Sequence, residues 1–172
     1  GRNVTVTLAK SGTAGEFADY NLSNTIIVSE GAPSASVTLI AVSDTLDEAE
    51  EETVIIDIVG VVHGVESGPQ QQTVKIIDDD LPPKVTLSVK ENRLNEETGT
   101  TTTAVSVKLD TVSSLDVTVS LETSGLAIRD VDYTVPVTIT ILAGTPINSV
   151  QLTTRGDVFD EFDEDVIIDV GS

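Results

Sequence analysis

The sequence predicts an all-β chain of two tandem immunoglobulin-like antiparallel β-sandwiches, each truncated at one end. Three observations predict it. Apolar residues alternate with period two in run after run, turn-forming clusters separate the runs at about 8 to 15 residues, and the second half of the chain repeats the first.

The repeat comes first because it decides how the other residues are read. NVTVTLAKSGTAGEFADY at residues 3–20 aligns with DVTVSLETSGLAIRDVDY at 116–133, an offset of 113. The same offset places Asp19-Tyr20 on Asp132-Tyr133, Gly31 and Pro33 on Gly144 and Pro146, and Asp44 on Asp157. SDTLDEAEEETVIIDI then matches GDVFDEFDEDVIIDV once one extra acidic residue is allowed in the first copy. Residues 84 to about 113 have no counterpart ahead of Gly1, and residues 59–80 have none after Ser172. The first copy is therefore expected to lack its first strand or hairpin, and the second its last hairpin. The expected domains are 1–81 and 82–172, joined at Pro82-Pro83, whose fixed φ angles make a short, stiff linker.

Taken in order, Val4, Val6 and Leu8 predict the first strand, and Val37 and Leu39 another. LDEAEEE at 46–52 carries no apolar stripe and is read as a loop. Val85, Leu87 and Val89, then Val105, Val107 and Leu109, then Val117, Val119 and Leu121, and finally Val150 and Leu152 repeat the alternation. SGTAG, EGAP, ESGP and AGTP supply the turns, and Val, Ile and Thr suit a pleated, half-buried surface. Short strands and frequent turns in units of about 110 residues are the pattern of a β-sandwich.

Composition removes several functions. Of 172 residues, 29 are acidic and 9 basic, a net charge of −20, which excludes a nucleic-acid binder and argues against docking on anionic lipid. With no Cys and one His there is no disulfide, no thiolate zinc site and no cysteine nucleophile. No apolar run reaches the roughly 20 residues of a membrane helix, so no direct membrane insertion is expected. Three Phe, two Tyr and no Trp furnish no sugar-binding groove for paired carboxylates, and no nucleophile elbow, P-loop or zincin motif occurs. The chain is not expected to be an enzyme.

The acids are concentrated. Residues 44–57 hold seven, 157–169 hold seven, and 78–80 hold three, with no Lys or Arg among them. Two carboxylates 4 Å apart repel by about 1 kcal/mol in water and about 4 at an effective dielectric of 20. Several converging on one end of a sandwich call for a bound cation, and Ca²⁺ accepts 6 to 8 oxygens in a flexible geometry that Mg²⁺ does not. The competing reading is plain: acidic loops are commonly no more than a solvated face. The loop is no EF-hand, because it lacks the central Gly and the twelfth-position ligand.

The ordered set ADY, SDTLDEAEEETVIIDI and TVKIIDDD, with its copy VDY and GDVFDEFDEDVIIDV, resembles tandem Calx-β domains, the modules of sodium/calcium exchangers, integrin β4 and large extracellular proteins. The resemblance implies a seven-stranded sandwich that holds Ca²⁺ in the loops at one end. In the first copy the implied ligands are Asp19, Asp44, Glu48, either Glu51 or Glu52, Asp78, Asp79 and Asp80, with the carbonyl of Leu46. In the second copy they are Glu96, Asp132, Asp157, Glu161 and Glu164, with the carbonyl of Phe159. Asp47 and Asp160 are expected to point elsewhere. Ser43-Asp44 and Gly156-Asp157 stand where calcium-sensing members carry paired aspartates, which implies fewer or weaker ions. The first copy keeps its Asp triplet and is expected to be the better site. The triplet runs straight into Leu81-Pro82-Pro83, so a cation there is expected to lie near the interdomain junction and stiffen it.

The expected function is thus a calcium-binding module of a larger extracellular or membrane-anchored protein, whose partners are calcium ions, neighbouring repeats and a cell-surface partner. The alternative is a metal-independent spacer or adhesin repeat. His63 is read as a surface loop residue, and the rings of Tyr20 and Tyr133 are read as core beside the acidic loops.

Overall fold

The computed structural model describes residues 1–95, 100–156 and 162–171. These residues form thirteen strands and no helix. No helix is therefore long and apolar enough to cross a membrane. By contacts the chain divides into two units, Gly1–Thr45 with Ala49–Asp79, and Leu46–Glu48 with Asp80–Ser172.

The first unit contains β1 (Val4–Gly12), β2 (Tyr20–Asn21), β3 (Thr25–Val28), β4 (Ile40–Ala41), β5 (Glu51–Val62) and β6 (Gln71–Ile77). Its main sheet is antiparallel, in the order β3-β1-β5-β6, and β2 pairs with β4 in a separate ladder of two residues. Alternation turns Val6 and Leu8 of β1 and Val54, Ile56 and Ile58 of β5 toward one apolar cluster, joined there by Tyr20, Leu22 and Ile26. A register shift between Thr7 and Leu8 leaves Val59 as an extra residue on β5, a bulge that bends the strand.

The second unit contains β7 (Val85–Val89), β8 (Thr102–Leu109), β9 (Val117–Gly125), β10 (Tyr133–Thr134), β11 (Thr138–Ile141), β12 (Ile147–Thr154) and β13 (Val166–Val170). One antiparallel sheet runs β10-β12-β8-β7 and the other β11-β9-β13. Val105, Val107, Leu109 and Leu152 from the first sheet meet Val119, Leu121, Ile139 and Ile141 from the second in one buried cluster, which makes this unit a two-layered sandwich.

The 113-residue offset reappears in the strand registers. Val4 pairs with Val28 as Val117 pairs with Ile141, and Tyr20 pairs with Ala41 as Tyr133 pairs with Thr154. Gly12 and Gly125 share φ angles of 121° and 118°, and in each case a Cβ would run into a backbone carbonyl, that of Thr53 in β5 or of Asp165 just ahead of β13.

One expected strand is absent. Val37 and Leu39 lie in an extended segment that becomes β4 only at Ile40. Its counterpart in the second unit is β12, which gains its ladder from β8, and nothing in the first unit takes the place of β8. The alternation is real in both copies, but a strand also needs a hydrogen-bonded neighbour.

Candidate metal centre

The centre begins with a tight loop after β1. Phe17 takes a left-handed conformation, φ 75°, which lets its N–H donate to the Tyr20 carbonyl at 2.8 Å and the Asp19 N–H donate to the Gly15 carbonyl at 2.9 Å. The Gly15 N–H in turn donates to Asp19 Oδ2, fixing the carboxylate although Asp19 is only 8% exposed. Two residues before Asp44, the N–H of Val42 donates to the Asp19 carbonyl at 2.8 Å, extending the β2–β4 ladder toward the acidic loop. Asp44 and Glu48 stand four residues apart in that loop. Asp19, Asp44 and Glu48 each present a carboxylate oxygen within 4.8 Å of the others, with Asp19 buried, Asp44 exposed and Glu48 between. Oxygens bound to one Ca²⁺ at 2.3 to 2.6 Å lie no farther apart than about 4.6 to 5.2 Å, so the spacing suits a single ion.

The remaining candidates of the first copy lie outside that group. Glu51 and Glu52 already belong to β5, and Glu51 forms an ion pair of 2.7 Å with Lys75 of β6. Asp78, Asp79 and Asp80 follow β6, where the Asp78 N–H donates to the Glu50 carbonyl at 3.3 Å. Leu46 is half-buried in the loop. Asp47 turns away from the group: its Oδ2 accepts from Ser113 Oγ at 2.6 Å, and its carbonyl accepts from the Ser114 N–H at 2.9 Å.

In the second copy Asp132 occupies the same loop as Asp19. Asp130 has φ 68°, the Ile128 N–H donates to Asp132 Oδ2 at 2.6 Å, and the Arg155 N–H donates to the Asp132 carbonyl at 2.7 Å. Glu164 is exposed, just ahead of β13. Glu96, Asp157, Phe159 and Glu161, with Asp160, lie outside the described residues.

The sequence reading missed the cations around these loops. Arg155 donates from Nη1 to the Asp130 carbonyl at 2.9 Å, and the Arg129 guanidinium donates to the Val135 carbonyl. At the offset of 113 these positions are Val42 and Glu16 in the first copy. There Lys10 does the work of Arg129 from another strand position, donating to the Leu22 carbonyl at 2.9 Å and pairing with Glu16. The acidic loop of the first copy therefore has no arginine where the second has Arg155.

No protein-family model matches this chain, and no curated protein does. Among solved structures the chain is similar to one described as the crystal structure of CBD12 from CALX1.2, at 19% sequence identity and a TM-score of 0.37, over 89% of this chain and 64% of that one. The chain thus spans less than two thirds of that structure's length.

Tyr20 and Tyr133, each 2% exposed, pack in their cores one residue after the paired aspartates, so ring burial anchors each aspartate loop. His63 sits in an exposed bend with φ 62°, its Nδ1 3.0 Å from the Asn3 carbonyl.

Proposed function

We propose that the chain is a non-catalytic, calcium-binding pair of β-sandwich modules of the Calx-β type, part of a larger extracellular or membrane-associated protein. Ca²⁺ is held by the acidic loop of the first repeat. The observation that carries this reading is the convergence of Asp19, Asp44 and Glu48 within 4.8 Å, around an aspartate already oriented by the Gly15 N–H. Three carboxylates at that spacing repel by roughly 1 kcal/mol per pair in water, and a divalent ion turns that repulsion into coordination. The Asp78–Asp80 triplet and the Leu46 carbonyl are the further oxygens from which a shell of 6 to 8 would be completed. Bound Ca²⁺ then orders the loops beside Leu81-Pro82-Pro83 and stiffens the joint between the repeats.

Calorimetric titration of Ca²⁺ into the full chain tests this. Asp19→Asn and Glu48→Gln are expected to weaken binding by at least about tenfold, about 1.4 kcal/mol each. Glu122→Gln, an exposed charge removed from β9, is expected to leave it unchanged. Equal losses from all three, or no heat from the unsubstituted protein, would reduce the acids to solvated charge and favour a metal-independent spacer. Unchanged hydrogen exchange at residues 78–83 between calcium and chelator would remove the stiffening role alone.

A further inference from the structure

The aspartate loops of the two repeats are braced at the same place by different residues. In the first repeat Lys10 lies on the same face of β1 as Leu8, turned inward, and its side chain is only 8% exposed. Its ammonium pairs with Glu16, three residues before Asp19, and donates at 2.9 Å to the carbonyl of Leu22, three residues after it. The second repeat has Thr123 at the position of Lys10 and Arg129 at that of Glu16. There the Arg129 guanidinium donates to the carbonyl of Val135, the counterpart of Leu22. A cation on the strand is exchanged for a cation in the loop, yet the same carbonyl receives a charged donor. The repeats share the bond and not the residue that makes it.

Around that bond the two backbones agree. Glu16 bridges Tyr20 as Arg129 bridges Tyr133, and Phe17 and Asp130 both take left-handed φ angles, 75° and 68°. Such a conformation persists in a residue other than glycine only where the surroundings hold it. In the first repeat those surroundings include an ammonium largely out of water, which is tolerated only with its partners in place. We infer that Lys10 and Glu16 are positioning residues of the candidate calcium centre. The pair clamps both flanks of the loop and so presents to the ion the Asp19 carboxylate that the Gly15 N–H orients. This inference rests on the calcium reading and adds the residues that preform the loop before the ion arrives. A loop ordered in advance spares the bound state the entropy of ordering it, which raises affinity without touching the ion.

The sign of the effect separates positioning from charge. Lys10→Thr makes the chain more negative, so the field alone would draw Ca²⁺ in more tightly. With the clamp gone, calorimetric titration of the full chain is instead expected to show binding weakened at least about fivefold. Glu16→Arg alone sets a guanidinium against the Lys10 ammonium and is expected to weaken it as much. Lys10→Thr combined with Glu16→Arg rebuilds the brace of the second repeat. It is expected to bind at least about threefold more tightly than Lys10→Thr alone, although a carboxylate has become a guanidinium. Hydrogen exchange in chelator reads the loop without the ion. The Gly15, Phe17 and Asp19 amides are expected to exchange at least about tenfold faster in each single variant than in the double one, while the amide of Val54 in the core stays protected. Unchanged or tighter calcium binding by Lys10→Thr, or a double variant no better than the single, would overturn this inference and leave the calcium reading standing. No heat from the unsubstituted protein would remove the calcium reading and this role with it. If Lys10→Thr costs the first unit its fold, seen as lost protection at Val54, Glu16→Gln keeps the ammonium on the Leu22 carbonyl and carries the comparison. Loop amides no faster in that variant than in the unsubstituted chain would overturn the inference.

Discussion

Asp19 and Asp132 occupy one backbone loop with different electrostatic surroundings. Each is held by the N–H four residues back, but the position that is Val42 beside Asp19 is Arg155 beside Asp132. A positive charge about 5 Å from a divalent ion costs roughly 1.7 kcal/mol even at the dielectric of water. Val42→Arg is therefore expected to weaken Ca²⁺ binding at least about tenfold. Val42→Gln, similar in reach and uncharged, is expected to leave the affinity within about twofold in the same titration. Equal affinities for the Arg variant and the unsubstituted chain would mean that the ion does not sit beside Asp19. The carboxylates of this group were legible in the sequence through the family resemblance of the acidic motifs, since matches between the copies alone do not select them: Asp47 and Asp160 match as well. The arginines were not, because they fall on mismatches, where an alignment of likeness gives no weight to chemistry. The ion pair of Glu51 with Lys75 was hidden for another reason, since cross-strand pairing depends on a register that spacing alone does not fix.

Among the elements, those that carry their own partner were the easiest to read. β1, β7, β8, β9 and β12 follow from alternation between turns, and each finds an antiparallel neighbour. Val37 and Leu39 show the limit of that signal, because it marks a face to be buried and is silent about whether a ladder exists. The turn after β1 was visible as SGTAG, but the reason its glycine recurs as Gly125 at the end of β9 emerges only from the structure. At Gly12 the backbone is left-handed and the Thr53 carbonyl fills the space a methyl group would need, whereas at Gly31, φ 79°, no atom stands within 4 Å of that space. Gly12→Ala, which adds that backbone clash to the cost of a left-handed residue, is expected to destabilise the first unit by at least about 2 to 3 kcal/mol. Gly31→Ala, which meets only the intrinsic cost of a left-handed residue, is expected to cost about 1 kcal/mol. Urea unfolding followed in parallel separates the two, and a Gly31 variant as damaged as the Gly12 variant would refute the close-approach account.

At the scale of the whole chain, the two units differ in how much core they own. The second buries ten hydrophobic residues in its cluster, the first five among the described residues. Burial is the main source of folding free energy, so the first unit is expected to unfold at the lower temperature and the chain to show two transitions. A net charge of −20 adds self-repulsion to both, and any salt relieves part of it by screening. That general effect must be separated from a site. At equal ionic strength, NaCl and CaCl₂ screen alike, while an ion that needs Asp19 and Asp44 in their folded places stabilises the first unit further, by about 2.7 kcal/mol at a concentration 100 times its dissociation constant. Calorimetric scans at matched ionic strength are therefore expected to move the lower transition upward in CaCl₂ and to leave the upper one where NaCl puts it. Mg²⁺ is expected to do less, because it gives up its water reluctantly to carboxylates that no octahedron arranges. A shift shared equally by both transitions would mean that the charge acts only as a diffuse field. A shift confined to the upper one would move the ion to the second repeat, where Arg155 already stands.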